Sequence, residues 1–458
     1  MGDFLDWHAH HLIAAMAAGT VSSVALMEAT LARIAAENPG VNAIVSLRDA
    51  DVLMAEARAA DAAPTKGPLH GIPIAVKDLA NVAGIPTSMG SPVFAGKPAA
   101  QSDVMVQRMQ DAGAIIIGKT NTPEFGLGSH TFNPVFGATE NAILPGCTAG
   151  GSSGGAAVAL ARHMVCLADG SDMMGSLRNP AGWNGVYGHR PTWGLVPGEP
   201  VGDMFMHQLS TNGPMARCPR DIALLLEVQS GPDPRQPFGW DVPPLQDNLD
   251  ADVSGRRIAW LGDWGGAYPM EAGVVDGASA AVARFADFGC VVENVSPPFD
   301  AGAIWEAWIA LRSWAVAAKL GPIYDQPKLR DQLKPEAIWE IERGRALSGT
   351  QIQRASNLRS DWYRAADALL TKYDAFVLPT AQCWPFPIDW HYPQHIAGVE
   401  MDTYHRWMEV VVPVSLIGLP CLAVPIAGPR PMGLQIAGRR GDDLGLLQLG
   451  QSWYRGTQ

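Results

Sequence analysis

Apolar residues follow two spacings along the chain, one typical of amphipathic helices and the other of short buried strands. After a serine pair at 22–23 that can cap a helix, apolar residues recur at intervals of three and four from Val24 to Ile34, which predicts a helix ending at 38–40. Similar spacing predicts helices at 50–62, 101–113, 154–165, 221–228, 273–288, 304–319 and 351–373. Short apolar runs predict strands at 72–76, 114–117, 165–168, 257–261, 375–378, 421–424 and 433–437. Because strands and helices alternate, the pattern predicts an α/β fold.

Two stretches interrupt this alternation. Residues 231–253 are polar and rich in proline, which is typical of a linker or a surface excursion. Residues 379–393 form a loop rich in proline and tryptophan. The sequence contains no internal repeat and no low-complexity tract.

Composition excludes several classes of protein. Hydrophobic residues make up 47% of the chain and charged residues only 17%, which excludes a disordered, collagenous or coiled-coil protein. With 458 residues, the chain can bury a core without disulfide or metal staples. The formal net charge is -12 and no basic run interrupts it, so we expect no nucleic-acid partner.

The sequence also indicates where the protein acts. Residues 1–6 are acidic where a secretory signal would be basic, and no apolar stretch approaches the ~20 residues needed to cross a bilayer. The six cysteines are scattered without a C-x-x-C pair, which is typical of reduced thiols. We therefore expect a cytoplasmic protein with no membrane partner.

Two segments carry candidate chemistry. Residues 149–155 (AGGSSGG) form a glycine–serine loop before a predicted helix, but the lysine of a phosphate-binding P-loop is missing, which disfavours nucleotide binding. Residues 172–180 (DMMGSLRNP) are predicted to form a strand-to-helix junction. Such a junction can present the Ser176 hydroxyl and several backbone N–H groups at one point.

A serine nucleophile needs a base that accepts its proton. No Ser-His-Asp triad can be identified among the eleven histidines, and the pair at 391 and 395 lacks a third metal ligand nearby. Lysine is the alternative, because a lysine buried among apolar groups loses its proton near neutral pH. Lys77 directly follows the apolar run at 72–76 and is therefore a candidate base, although a strand-end lysine is more often solvated.

Beyond these features, the chain resembles the amidase signature family, the serine hydrolases that use a Ser, a second Ser and a Lys. Residues 67–78 (GPLHGIPIAVKD) resemble the family's lysine motif, and residues 150–155 resemble its glycine–serine motif. The spacing also matches, with 75 residues from Lys77 to Ser152 and 24 from Ser152 to Ser176. The likeness covers nearly the whole chain and is weakest between about 235 and 410; it extends to residues 118–126, 213–217, 418–420 and 433–435.

The resemblance implies a role for each motif residue. It makes Ser176 the nucleophile, Lys77 the base, and Ser152, joined to Gly151 by a cis peptide bond, the serine that bridges them. The backbone N–H groups that would receive the oxyanion are those of Met173, Met174, Gly175 and Ser176. The residues expected to support these loops are Gly151, Ser153, Asp172 and Arg178. No cofactor and no metal are implied.

The chain departs from the family pattern at one position. Met174 stands where the family usually has glycine in Asp-x-Gly-Gly-Ser. If the backbone there needs a positive φ, Met174 is strained; if it does not, the thioether lines the pocket. Cys147 precedes the glycine–serine motif and is interpreted as a packed thiol rather than a second nucleophile.

The substrate is predicted only in outline. Tryptophan is frequent in the stretch least like the family, including positions 305, 308, 314, 339, 384, 390 and 407. If they line the pocket, they favour a hydrophobic or aryl amide, anilide or carbamate; if they pack at helical spacing, they belong to the core. The alternative function is the glutamine-hydrolysing subunit of a tRNA-dependent amidotransferase, a component that also resembles this family.

The resemblance further implies a single α/β domain with a large mixed sheet sandwiched between helices. Residues 1–60 are predicted to form a helical arm packed on the catalytic domain, 61–458, in which about 235–410 is the variable, substrate-lining region. The expected assembly is a monomer or a homodimer acting on a small-molecule amide.

Overall fold

A computed structural model describes residues 4–64 and 67–457 of the chain. The acidic start at 1–3 and two residues of the proline-flanked loop at 64–68 lie outside the described residues. The helices are α1 (Ala9–Ala17), α2 (Ser23–Val41), α3 (Ala50–Ala62), α4 (Val104–Asp111), α5 (Gly154–Ala161), α6 (Asn179–Asn184), α7 (Pro219–Gln229), α8 (Val274–Ala283), α9 (Ala301–Tyr324), α10 (Pro327–Arg330), α11 (Pro335–Ala346), α12 (Gly349–Leu370), α13 (Val412–Ile417) and α14 (Asp443–Thr457).

The strands form one large sheet, one small sheet and two short hairpins. Their bounds are β1 (Ile44–Val45), β2 (Pro73–Lys77), β3 (Ile115–Thr120), β4 (Phe132–Asn133), β5 (Gly137–Ala138), β6 (Leu167–Asp172), β7 (Tyr187–Arg190), β8 (Thr211–Ala216), β9 (Arg257–Trp260), β10 (Val291–Asn294), β11 (Ala375–Pro379), β12 (His395–Ile396), β13 (Val399–Glu400), β14 (Cys421–Ile426) and β15 (Met432–Gly438). The large sheet has the order β10-β9-β11-β15-β14-β7-β8-β6. Strands β10, β9 and β11 are parallel, and the others pair antiparallel, so the sheet is mixed.

Side chains alternate between the two faces of the large sheet, as the period of two in a strand requires. In β11, Ala375 and Val377 join one apolar core, with helices α1, α7 and α14. Phe376 and Leu378 of the same strand join a second core, with α9, α12 and α13. The sheet therefore lies between two helical layers, and the predicted α/β fold with a large mixed sheet is confirmed.

The small sheet brings the first motif to the large one. It has the order β1-β3-β2, with β2 parallel to β3, and α2, α3 and α5 pack on it through a third apolar core. Strand β2, which ends in Lys77, is the edge strand that faces β6, the edge strand of the large sheet. The site described below lies where these two edges meet.

Several element boundaries differ from the sequence-based expectations. The first predicted helix does begin at the serine pair, where Ser22 accepts a hydrogen bond from the Ala25 N–H, but it continues through Pro39 and ends at Val41. The prediction that it ends at 38–40 was wrong, because Asn42 closes the helix in the left-handed conformation. Helices α11 and α14 were not predicted. In the part of the chain that the structure describes, every helix is too short or too polar to span a bilayer.

Candidate active site

The three side chains expected to act in catalysis are placed by strand ends and loops. Lys77 is the last residue of β2, Ser152 lies in the loop that enters α5, and Ser176 lies in the loop that leaves β6. All three residues are almost fully buried, with exposures of 1%, 3% and 5% respectively. The fold therefore brings residues separated by as much as 99 positions in sequence to one enclosed place.

The Lys77 amine is surrounded by hydroxyl groups. Its Nζ lies 2.8 Å from Oγ of Ser152 and 2.8 Å from Oγ of Ser153. Ser171, on β6, places its Oγ 3.1 Å and its carbonyl oxygen 3.3 Å from the same nitrogen. Ser153 directly precedes α5 and does not cap the helix with its side chain. Its hydroxyl contacts the Lys77 amine instead.

Ser176 joins this group through the backbone. Its carbonyl oxygen accepts a hydrogen bond of 3.3 Å from the Ser153 N–H. This bond places residues 173–178, the nucleophile loop that carries the candidate nucleophile Ser176, beside the glycine–serine loop. Within residues 4–64 and 67–457, the Ser176 hydroxyl makes no hydrogen bond, whereas the Ser152 hydroxyl contacts the amine. The geometry thus links Lys77 directly to Ser152 and leaves the Ser176 hydroxyl available to a ligand.

The environment of Lys77 favours a neutral amine. Burial lowers its pKa to about 7, because a charged ammonium loses its hydration there. The negative charges of Asp169 and Asp172 oppose this effect and raise the pKa. A substantial fraction of Lys77 is therefore unprotonated near neutral pH, which a general base requires.

The nucleophile loop is fixed by a buried carboxylate. Asp172 accepts hydrogen bonds from the backbone N–H groups of Gly175 (2.9 Å) and Leu177 (3.1 Å). It also pairs with two fully buried arginines, Arg178 at 3.0 Å and Arg190 at 3.2 Å. Burial alone would raise the pKa of Asp172, but the two guanidinium groups outweigh it and hold that pKa well below its usual range.

Three backbone amides of the nucleophile loop remain without an acceptor in the described chain. The Gly175 N–H is occupied by Asp172, so the amides that can receive an oxyanion are those of Met173, Met174 and Ser176. Gly175 is required at its position: its φ is +78°, and a Cβ there would lie 2.8 Å from Val411.

Met174 has an ordinary backbone conformation, since it is not among the residues with positive φ. Its side chain is 4% exposed and packs in the second apolar core. The departure from the family's glycine therefore introduces no backbone strain and adds apolar packing beside the nucleophile.

The glycine–serine loop is held by two side chains that sequence reasoning did not single out. The Gly151–Ser152 peptide bond is cis. Thr131 donates to the Gly150 carbonyl (2.8 Å) and accepts from the Gly154 N–H, and Asn179 accepts from the Gly151 N–H at 3.2 Å. These contacts fix the loop on both sides of Ser152.

Gly126 lies beside the serine expected to bridge Lys77 and Ser176. Gly126 approaches Ser152 so closely that a Cβ on it would lie 3.6 Å from the Ser152 Oγ. Its neighbours Phe125 and Leu127 pack with Tyr404 in a fourth apolar cluster. The two residues that flank Gly126 in the chain therefore belong to an apolar cluster.

The tryptophans of the 300–410 stretch mainly serve packing. Trp305, Trp308 and Trp407 are buried in the second apolar core, and Trp390 is half exposed. Helical spacing thus reflected core packing for Trp305 and Trp308.

The other candidate groups do not reach Lys77. Among the described residues, His8, Cys218 and Asp221 are the one set of donors close enough to share a metal ion. Asp221 already accepts the Ala9 N–H at 2.7 Å and so caps α1. Cys147 is half-buried, and burial raises the pKa of its thiol, which favours the unreactive protonated form.

Sequence reasoning missed five polar residues that shape the site: Thr131, Asp169, Ser171, Asn179 and Arg190. Ser171 and Asp169 precede the recognised motif by only a few positions, and their alternation along a strand places both near Lys77. Arg190 and Thr131 carry no local signal, because their roles depend on long-range contacts.

The chain is similar to known proteins over nearly its whole length. A family model described as Amidase matches residues 25–447. The chain is 32% identical over 460 residues to an acylamidase of Rhodococcus erythropolis, covering 97% of this chain and 94% of the relative. It is 33% identical over 484 residues to one of the subunits of the glutamyl-tRNA(Gln) amidotransferase of Chloroflexus aurantiacus, covering 98% and 97%. The crystal structure of a bacterial aryl acylamidase of the amidase signature family matches with a TM-score of 0.92 at 26% identity, covering 98% and 96%.

The Asp172 network generates a stability prediction. Asp172→Asn leaves two buried guanidinium groups without their counter-charge, and we expect it to lower the free energy of unfolding by ~3–5 kcal/mol. Urea denaturation of the variant and the wild type measures this loss.

The matched control is Glu293→Gln, which removes a carboxylate paired with Arg257 on the surface. This change should have little effect on the free energy of unfolding, because solvent screens the charges of an exposed ion pair. Equal losses in the two variants would contradict a special role for the buried carboxylate.

Proposed function

Because this chain belongs to the amidase signature family, we propose that it hydrolyses its substrate through an acyl-enzyme on Ser176, with Ser152 and Lys77 as the proton relay. The family fixes the reaction as hydrolysis of an amide carbon–nitrogen bond. The observation that carries the assignment is the 2.8 Å contact between the buried Lys77 amine and the Ser152 hydroxyl.

The relay conserves protons at each step. As the Ser176 Oγ forms a bond to the substrate carbonyl carbon, its proton moves to Ser152, whose own proton moves to the neutral Lys77 amine. When the tetrahedral intermediate collapses, the protons return by the same route to the leaving nitrogen, and the carbon–nitrogen bond breaks. Water then attacks the acyl-enzyme, gives its proton to the relay and releases the acid, which restores the Ser176 hydroxyl.

The developing oxyanion needs donors that are already in position. The unoccupied amides of Met173, Met174 and Ser176 are suited to this, and a well-placed donor contributes ~3 kcal/mol to transition-state stability. Asp172 supports the same loop and keeps these amides in place, because it ties down both Gly175 and Leu177.

For the substrate we propose a hydrophobic or aryl amide, anilide or carbamate. Phe125 and Leu127 flank Gly126, which lies next to Ser152, and pack with Tyr404 in an apolar cluster, while Met174 packs in an apolar core two residues before the nucleophile. The similarity to an acylamidase and to an aryl acylamidase supports the same class of substrate. Carbamates and esters are cleaved through the same kind of tetrahedral intermediate, so both belong to the proposed range of substrates.

A second candidate is the glutamine-hydrolysing subunit of a tRNA-dependent amidotransferase. It is favoured by the amidotransferase relative, which is as similar in sequence as the acylamidase. The two candidates differ in partners: the first acts alone, as a monomer or homodimer, on a small-molecule amide in the cytoplasm, and the second acts in a complex.

A substrate panel separates the two candidates. The purified chain is assayed alone on aryl amides, aliphatic amides, carbamates and glutamine. The proposed function predicts hydrolysis of the aryl amides without any partner protein. Glutamine hydrolysis that appears only with amidotransferase partners, with no turnover of the other substrates, would replace it by the second candidate.

The nucleophile assignment predicts the site of covalent labelling. A fluorophosphonate probe should modify Ser176 in the wild type, identified by mass spectrometry of peptides. Ser176→Ala should be neither labelled nor active, because it removes the hydroxyl that forms the acyl-enzyme. Ser356→Ala, which changes an exposed serine on α12, should behave like the wild type. Full activity of Ser176→Ala would contradict the assignment.

The base assignment predicts the pH dependence of catalysis. Only the neutral amine accepts a proton, so kcat/KM should rise with pH through a midpoint near 7, the value to which burial lowers the pKa of Lys77. Lys77→Ala should lose orders of magnitude of activity at neutral pH while circular dichroism shows an intact fold. The control Lys372→Ala changes an exposed lysine and should leave the activity and the circular dichroism spectrum unchanged. A wild-type profile that is flat from pH 5 to 9 would contradict a titrating base.

A further inference from the structure

A buried carboxylate behind Lys77 has no place in the relay described above. Asp169 lies on β6, is 1% exposed and accepts a hydrogen bond of 2.9 Å from the backbone N–H of Lys77. Its own strand pairs with β8 on the opposite side. The Asp169 side chain thus spans the gap where β2, the edge of the small sheet, meets β6, the edge of the large sheet.

This position couples two parts of the site. Strand β2 carries the amine of Lys77, while β6 carries Ser171 and leads to the nucleophile Ser176. In an ordinary sheet, a backbone carbonyl would accept the N–H of the neighbouring strand. Here a carboxylate accepts it, and a carboxylate also brings a negative charge close to the base.

Two buried lysines act on the charge of Asp169. Its electrostatic neighbours are Lys77 and Lys119, a second buried lysine on β3. The Lys119 amine donates to the Ala80 carbonyl and to Thr87 Oγ1 (3.2 Å), so it is held by its own partners. The acids that act on Lys119 are Asp78, Asp169 and Asp103.

We propose that Asp169 is a positioning residue for Lys77, which fixes the end of β2 through the Lys77 backbone N–H and uses its negative charge to strengthen the hold of the Lys77 amine on its proton. The proposal rests on the proposed function, in which Lys77 is the base. It assigns to one side chain both the placement of the amine and the pH at which the amine becomes active.

The negative charge of Asp169 raises the pKa of the Lys77 amine. Two acids act on the amine, Asp169 and Asp172, and the charge of Asp172 is already compensated by Arg178 and Arg190. Removing the charge of Asp169 therefore favours the neutral amine and lowers the pKa of Lys77 further. Since the neutral amine is the active form, the acid limb of kcat/KM should move to lower pH.

The decisive variant is Asp169→Asn, which keeps the shape and an oxygen acceptor for the Lys77 N–H but removes the charge. We expect the acid limb of its kcat/KM profile to move down by about one pH unit relative to the wild type. The control Asp241→Asn removes one negative charge from an exposed loop and should leave the limb in place. A second variant, Asp169→Leu, removes charge and acceptor together and should lower kcat at least ~10-fold at the pH optimum.

The pH profiles of these variants distinguish an effect of the Asp169 charge from a purely structural role of Asp169. An unshifted limb in Asp169→Asn, or a shift to higher pH, would overturn the proposal, even if Asp169→Leu is inactive, because a purely structural role leaves the limb unchanged. Circular dichroism and urea denaturation identify a variant that fails to fold, and Asp169→Asn then decides on its own. Full activity of Lys77→Ala would instead refute the proposed function and leave no base for Asp169 to position.

Discussion

The structure depends on burying one amine among hydroxyl groups. A lysine removed from water disfavours its charged form, and Lys77 is buried with three serine hydroxyls and one carbonyl as its polar neighbours. These groups form hydrogen bonds with the neutral amine. The Ser152 hydroxyl can both accept a hydrogen bond from the amine and donate one to it. The same burial would be costly for an unpartnered ammonium, so the serines are needed for stability as well as for chemistry.

The fold supplies this environment from three separate segments. Two sheet edges bring β2 and β6 together, and the N-terminus of α5 adds the glycine–serine loop between them. Two of these segments are anchored by buried polar side chains. Asp172 with its two arginines holds the nucleophile loop, and Thr131 with Asn179 holds the loop of Ser152. Rigid anchoring of this kind keeps donors and acceptors in place before a substrate arrives.

Sequence alone predicted the α/β class, seven of the fifteen strands in the described chain, the strand end that carries Lys77 and the loops of Ser152 and Ser176, because these are local patterns. It could not predict that the first helix continues past Pro39 to Val41 and is closed by Asn42, or that Met174 adopts an ordinary φ. It missed Asp169 and Arg190, whose importance comes from contacts across the junction and within the core. The tryptophans near 305 were ambiguous, since helical spacing does not distinguish a core from a pocket wall.

The most direct test of this account is the ionisation of the Lys77 amine itself. Selective isotopic labelling of lysine side chains, with assignment by comparison with Lys77→Ala, allows its titration to be followed by NMR in the uninhibited enzyme. The account predicts a transition near pH 7, because burial lowers the pKa of Lys77 to about that value. An amine that remains protonated up to pH 10, as an ordinary lysine does, would contradict it.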